Sequence, residues 1–228
     1  MSAHPLDRPV WSAFTGRQAD LAVWNGQALR VHPDFGLFAG AADNSPQALA
    51  DLGALVAERG DVGLVELSDM PPVPGTRVVS AAVCLQMTAE TVAPAWDVAF
   101  EILALGDADA AEMLALAALT KPGPFFSRTH QLGSFVGVRV EGKLVAMAGE
   151  RMRPAGYTEA SGVCVHPDHR GKGYAARLLQ EVTARILARG EKAFLHSYAD
   201  NTTAIGLYES LGYRGRHEVV FTILTAAQ

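Results

Sequence analysis

Residues 163–175 read Val-Cys-Val-His-Pro-Asp-His-Arg-Gly-Lys-Gly-Tyr-Ala. A short apolar strand runs into a polar turn, a basic residue, two glycines one residue apart, and then a helix. Any fold of this chain must therefore bring a strand end onto a helix start through a backbone free to bend. The first N–H groups of a helix have no partner within it, and the helix dipole adds partial positive charge there. Glycines let the backbone adopt φ > 0 and close up on an anion. Arg170 and Lys172 add formal charge. The segment is a candidate cradle for a pyrophosphate and implies a nucleotide-type co-substrate.

The 228 residues suit one large domain or two small ones, and 49% hydrophobic content supports a sizeable core. A net charge of −5 argues against a general nucleic-acid or anionic-membrane surface. Cys84 and Cys164 lie in apolar, strand-like runs and read as buried free thiols. The first residues lack the apolar stretch of a signal peptide, and no window approaches a membrane span. A cytoplasmic location is expected. His166 and His169, with His196 and Asp200, could suggest a metal, but His166 and His169 straddle a proline turn rather than sharing a helix face, so they are expected to flank the phosphate site and not to hold a metal.

Ser45-Pro46 reads as an N-cap followed by Pro at the first helical position, and Gly60 as the stop. Strands are expected at 62–67 and 77–87, with a linker at 88–97. Asp107 is expected to cap a second helix. Residues 134–140 and 144–152 alternate around Glu141-Gly142-Lys143 and read as a hairpin. A strand at 157–165, a helix at 174–189, a strand at 192–197, a short helix at 202–211 and a strand at 214–224 follow. Segments 35–39, 46–60 and 62–67 repeat the strand–helix–strand order of 162–165, 174–190 and 192–197. This suggests a degenerate internal repeat, with residues 1–100 as an N-terminal α/β region and 101–228 as the cradle-bearing domain.

Gly171, Gly173 and Ala176 also fit the loose G-x-G-x-x-G/A dinucleotide pattern, with Glu191 as a ribose-binding acid. Against that, five residues separate the strand from the glycines, Glu191 precedes the next strand, and too little chain remains for a parallel sheet. The better match is Arg170-Gly-Lys-Gly173-Tyr-Ala175, an R/Q-x-x-G-x-G/A pattern. With it, the sequence resembles the GNAT superfamily of acetyl-CoA-dependent N-acetyltransferases. The run 162–170 looks like that family's fourth strand and following turn, Leu195–Asn201 like its fifth strand and asparagine, and Ala204–Arg214 like its last helix. The resemblance covers about 107–224. It implies an α/β (α+β) fold: a mixed, mostly antiparallel twisted sheet with a central parallel βαβ and splayed strands, here preceded by a degenerate GNAT-like half.

The resemblance also implies roles. Acetyl-CoA would be the co-substrate, with its pyrophosphate on Arg170, Gly171, Lys172, Gly173, Tyr174 and Ala175 and its pantetheine arm along the backbone of Val163, Cys164 and Val165. Asn201 and Ala204 would complete that site, with Asn201 equally suited to cap the helix that follows. Tyr208 would be the general acid toward the departing thiolate. Glu159 is the preferred base, with Glu150 as the other candidate. The expected reaction is direct attack of a primary amine, from a small molecule or a peptide, on the thioester. A non-catalytic acyl-CoA sensor or scaffold is the alternative, and acyl-chain length is left open. Glu90, Glu101, Arg128 and His130 stand as undifferentiated acceptor-pocket candidates. The N-terminal region has three readings: a cover for the acceptor site, a homodimer interface, or a spent repeat.

Overall fold

The computed structural model describes residues 4–97 and 99–227. Helix α1 (Pro9–Phe14) leads into strands β1 (Ala22–Asn25), β2 (Ala28–Val31) and β3 (Ala39–Ala41), which form a small antiparallel sheet. Helix α2 (Pro46–Arg59) begins where Ser45 Oγ accepts from the Ala48 N–H at 3.3 Å and ends at Gly60. Strands β4 (Val62–Glu66) and β5 (Thr76–Ala89) follow, then β6 (Leu103–Leu105), α3 (Ala110–Thr120), β7 (Phe135–Val140), β8 (Lys143–Glu150), β9 (Tyr157–Val165), α4 (Tyr174–Ala188), β10 (Lys192–Tyr198), α5 (Thr202–Ser210) and β11 (Arg214–Ala226).

Eight strands make one sheet in the order β4-β11-β5-β10-β9-β8-β7-β6. Only β9 and β10 pair in parallel among these, joined by α4; every other neighbour is antiparallel. This is the mixed, mostly antiparallel sheet with one central βαβ that the sequence implied. Two local expectations change. The strand 77–87 runs on to Ala89, so the irregular segment begins after it. Asp107 does not cap α3: Asp109 accepts from the Gly106 N–H at 2.9 Å, while Asp107 accepts from His130 and Gln131.

Strands from both sides of residue 100 share the sheet. β5 lies between β10 and β11, pairing with β10 along Cys84–Ala89 and with β11 along almost its whole length. Backbone hydrogen bonds therefore cross the boundary expected at residue 100. Phe38 and Gly63 form a parallel bridge on either side of α2, an echo of β9 and β10 around α4.

Two layers cover the sheet. On one face α4 buries Leu178, Leu179, Val182 and Ile186 against Met87, Val136, Ala148, Ala160 and Leu195. These positions fall at helical spacing along α4, which is why the segment closes over the sheet. On the other face Leu6, Val10, Phe14, Phe35 and Phe38 pack on Val65, Cys84, Phe194 and Val219. Leu195 and Phe194 point to opposite layers, as neighbours on a strand must.

The fold generates one expectation about autonomy. A fragment spanning 101–228 lacks β5, and its β10 and β11 lose their shared neighbour. We expect that fragment to show no cooperative transition in urea, whereas the full chain unfolds in one. A cooperatively folding fragment would contradict the role given to β5.

Candidate active site

The site arises where two strands part. β9 and β10 pair at only three positions, Tyr157–Glu159 against Lys192–Phe194. Beyond these, β10 stays with β5 up to Tyr198, and β9 stays with β8 up to Val165. A register shift between Met147 and Gly149 of β8, opposite Gly162 at φ +65°, bends β9 away from β10. That φ is in the left-handed region that a side chain disfavours, so the bulge suits glycine. The result is a gap through the sheet with one unpaired edge of β9 facing it.

A cleft occupies this gap, enclosing about 870 Å3 with its open mouth. It passes between the two layers. Leu195, Asn201 and Tyr208 line it on the α4 side, and Phe38, Val65, Val219 and Phe221 line it on the other. Ala160, Ser161, Gly162 and Val163 form the β9 wall, while His196, Ser197 and Tyr198 form the β10 wall.

The glycine turn stands at the C-terminal end of β9. Gly171 and Gly173 have φ of +75° and +79°, and Gly173 is the residue before α4. No side chain caps this helix start, and a Cβ at either glycine would meet nothing within 4 Å. The first turn of α4 therefore presents its N–H groups to the outside, with exposed Arg170 and Lys172 beside them. Tyr174 contributes backbone only. Its ring is buried edge-on against Phe100, with centroids 4.7 Å apart. Cys164 turns into the core against α3, and burial pushes its thiol up to about 11; Cys84 is likewise a buried free thiol, pushed up to about 11.

Asn201 caps α5, its Oδ1 accepting from the Ala204 N–H at 3.2 Å, and it also lines the cleft. Tyr208 lies one turn beyond Ala204 on the same helix. Its ring stands edge-on to Tyr213 at 6.3 Å, and burial raises its hydroxyl above the ordinary tyrosine value. That shift keeps the hydroxyl in its neutral form.

Glu159 sits at the fork, fully buried. Arg151 Nε and Nη2 donate to its two oxygens at 2.8 and 2.7 Å, His196 Nδ1 donates at 2.8 Å, and the Met152 N–H adds a longer contact at 3.4 Å. Burial pushes this carboxyl up, but Arg151 and His196 together outweigh it and hold the group at about 2. A carboxylate so engaged is a weak base. Glu150, the other candidate, lies 2.9 Å from Arg189 and does not line the cleft.

No sequence motif marks Arg151 or Gln86, and His196 stands out in the sequence only as a possible metal ligand beside His166, His169 and Asp200. Gln86 Oε1 accepts from Arg216 at 2.9 Å, so its amide nitrogen donates to Leu6 O at 3.0 Å and to His196 Nε2 at 3.1 Å. These partners fix His196 as the neutral tautomer with its proton on Nδ1. Arg216 also pairs with Asp7. Residues of the N-terminal segment thereby support the fork. Alternation along β10 could have flagged His196, but Arg151 meets Glu159 only through the β8–β9 fold. Of the acceptor candidates, Glu90 pairs with Lys192, His130 with Asp107, and Arg128 stacks over Phe35; none lines the cleft. Glu191 pairs with Arg17 and Arg189 and faces no ribose site.

A depressed carboxyl contributes stability that is present above its unfolded value and lost as pH falls toward its folded value. Glu159→Gln leaves Arg151 buried without its counter-ion, so we expect a loss of about 3–5 kcal/mol at neutral pH. The deficit relative to the unaltered chain should shrink as pH falls from 4.5 toward 2. Urea titrations across that range check this; a deficit independent of pH would contradict it.

Among the described residues, no helix is long and apolar enough to cross a membrane. Residues 135–222 match the family model of FR47-like proteins. Over 57 residues the chain is 37% identical to an acetyltransferase of Yersinia pestis; the match spans 25% of this chain and 40% of that relative. A GCN5-related N-acetyltransferase from Kribbella flavida shares the fold, with a TM-score of 0.67 at 21% identity over 99% of this chain and 97% of that one. A GNAT-family protein of Novosphingobium aromaticivorans is 48% identical and superposes with a TM-score of 0.92, covering 99% of this chain and 100% of that one. With its parted strands, its glycine turn at the start of α4 and this end-to-end likeness, the chain belongs to the GNAT family of acetyltransferases.

Proposed function

We propose that the protein moves an acetyl group from acetyl-CoA to a primary amine by direct attack. The observation that carries this reading is the gap itself. It opens a cleft lined from both layers, with Tyr208 on its α4 side, and its β9 wall runs on toward the outward-facing start of α4. The residues fit the co-substrate: the uncapped start of α4 and positive φ at Gly171 and Gly173 suit a pyrophosphate, and the free edge of β9 at 163–165 offers backbone partners to an extended amide chain. When bound, acetyl-CoA supplies an acyl group activated as a thioester.

The chain's own residues then hold and move protons. Tyr208 donates its hydroxyl proton toward the departing sulfur. Glu159 acts through Arg151 and His196, fixing both at the fork, rather than taking a proton itself. The ammonium proton of the acceptor leaves to solvent through the open mouth before attack, and the second N–H proton, released as the amide forms, returns through water to the Tyr208 oxygen. An alkyl ammonium titrates near 10.4, so the reactive free amine grows tenfold per pH unit below that value. Asn201 both caps α5 and presents its amide nitrogen near the cleft.

A thiol-release assay across a panel of amines tests the reading. Release with at least one amine class is expected; tight acetyl-CoA binding with no release from any would favour a sensor. Tyr208→Phe should lower kcat by about 100-fold while moving the acetyl-CoA Kd less than about 3-fold. Equal losses in both would remove the acid role. Gly173→Ala should weaken acetyl-CoA about tenfold, because a Cβ at this φ costs about 1–2 kcal/mol. Calorimetry checks this, and an unchanged affinity would contradict the cradle.

A further inference from the structure

We propose that the acceptor is a small primary amine that also carries a carboxylate and an apolar side chain, and that Arg151 Nη1 binds that carboxylate. This rests on the transfer reading above and names the class of amine that it uses.

The charged groups in the cleft wall are Arg151 and Glu159. Both oxygens of Glu159 are engaged, and the side chain is fully buried. No open carboxylate among the described lining residues can hold an ammonium, so a polyamine has no anchor here. Arg151 is the reverse case. Nε and Nη2 donate to Glu159, and among the described residues nothing accepts from Nη1. The ion pair therefore leaves one donor, Nη1, uncommitted on a residue that lines the cleft.

Arg151 is also held in place. Its Cζ lies 4.6 Å over the Phe38 ring, Glu159 grips one edge, and the side chain is 12% exposed. A pre-positioned guanidinium loses little freedom on binding, and an N–H donated to a carboxylate is a charge-assisted bond. The remaining wall on this side, Phe38, Val65, Val219 and Phe221, is apolar. Ligand sites commonly combine such walls with a few placed polar groups. One acceptor satisfies all three surfaces: its carboxylate on Arg151, its apolar group on the aromatic and valine wall, and its amine toward the gap. That is the chemistry of an apolar α-amino acid. His196, neutral and bonded on both nitrogens, adds no competing charge.

The test is equilibrium binding by calorimetry, with and without saturating CoA, so that no turnover is required. Leucine, methionine, phenylalanine and tryptophan are each compared with the matching decarboxylated amine and amino-acid amide. At least one acid should bind about 10- to 100-fold more tightly than its amine and its amide. In the charge-neutral double variant Arg151→Met with Glu159→Gln, the preference should fall to within about 3-fold. Acids that bind no better than their amines or amides overturn the proposal, as does no binding by any acid. So does a preference that survives in a folded double variant. The comparison within the unaltered chain stands even if the double variant does not fold. Selective binding of acids without thiol release would instead contradict the transfer reading, and with it the acceptor role, and leave only the carboxylate subsite on Arg151.

Discussion

The site depends on where β9 and β10 stop pairing. Three parallel positions hold them together, and then each follows its antiparallel neighbour. Antiparallel ladders are slightly the more stable per residue, so the divergence resolves in favour of β8 and β5. The bulge at Gly162 sets the direction in which β9 leaves. Without this parting the sheet would be continuous, and neither the cleft nor the exposed edge of β9 would exist. Tyr208 and Asn201 line that opening, and the glycine turn follows the strand that borders it.

The fork needs filling, and polar groups fill it. Glu159 belongs to the last paired position of β9, and His196 lies two residues past the last paired position of β10. Joined to each other and to Arg151, they bridge the strands just where backbone pairing ends. A buried ion pair of this kind contributes little net stability over an apolar substitute, whereas breaking it is costly. Its value here is positional. It fixes Arg151 under Phe38, and through Gln86 and Arg216 it ties residues near the N-terminus into the support of the site. The N-terminal region thus contributes to the machinery twice, once as β5 inside the sheet and once as Phe38 and Val65 in the cleft wall.

Much of this was legible in the sequence. The glycine turn, the hairpin at 141–143, the α4 stripe and the Ser45 cap are local signals, and local physics determines them. The mixed sheet followed from a resemblance over 107–224. The position of β5 was not legible, because alternation along 76–89 says that a strand exists but not which strands flank it. Glu159 shows the same limit at the level of chemistry. Its place on the strand that leads into the cradle was readable. Its engagement by Arg151 and His196 was not, because those partners meet only across the fork. A free glutamate would be a candidate base; this one has both oxygens engaged by its neighbours.

The most direct test of the account is an amide NMR titration of the intact chain with acetyl-CoA. The account expects perturbations concentrated at 163–165, at 170–176 and at 201–208: the end of β9, the glycine turn and α5. Perturbations centred elsewhere, with these segments unmoved, would contradict the claim that the parted strands are the donor site.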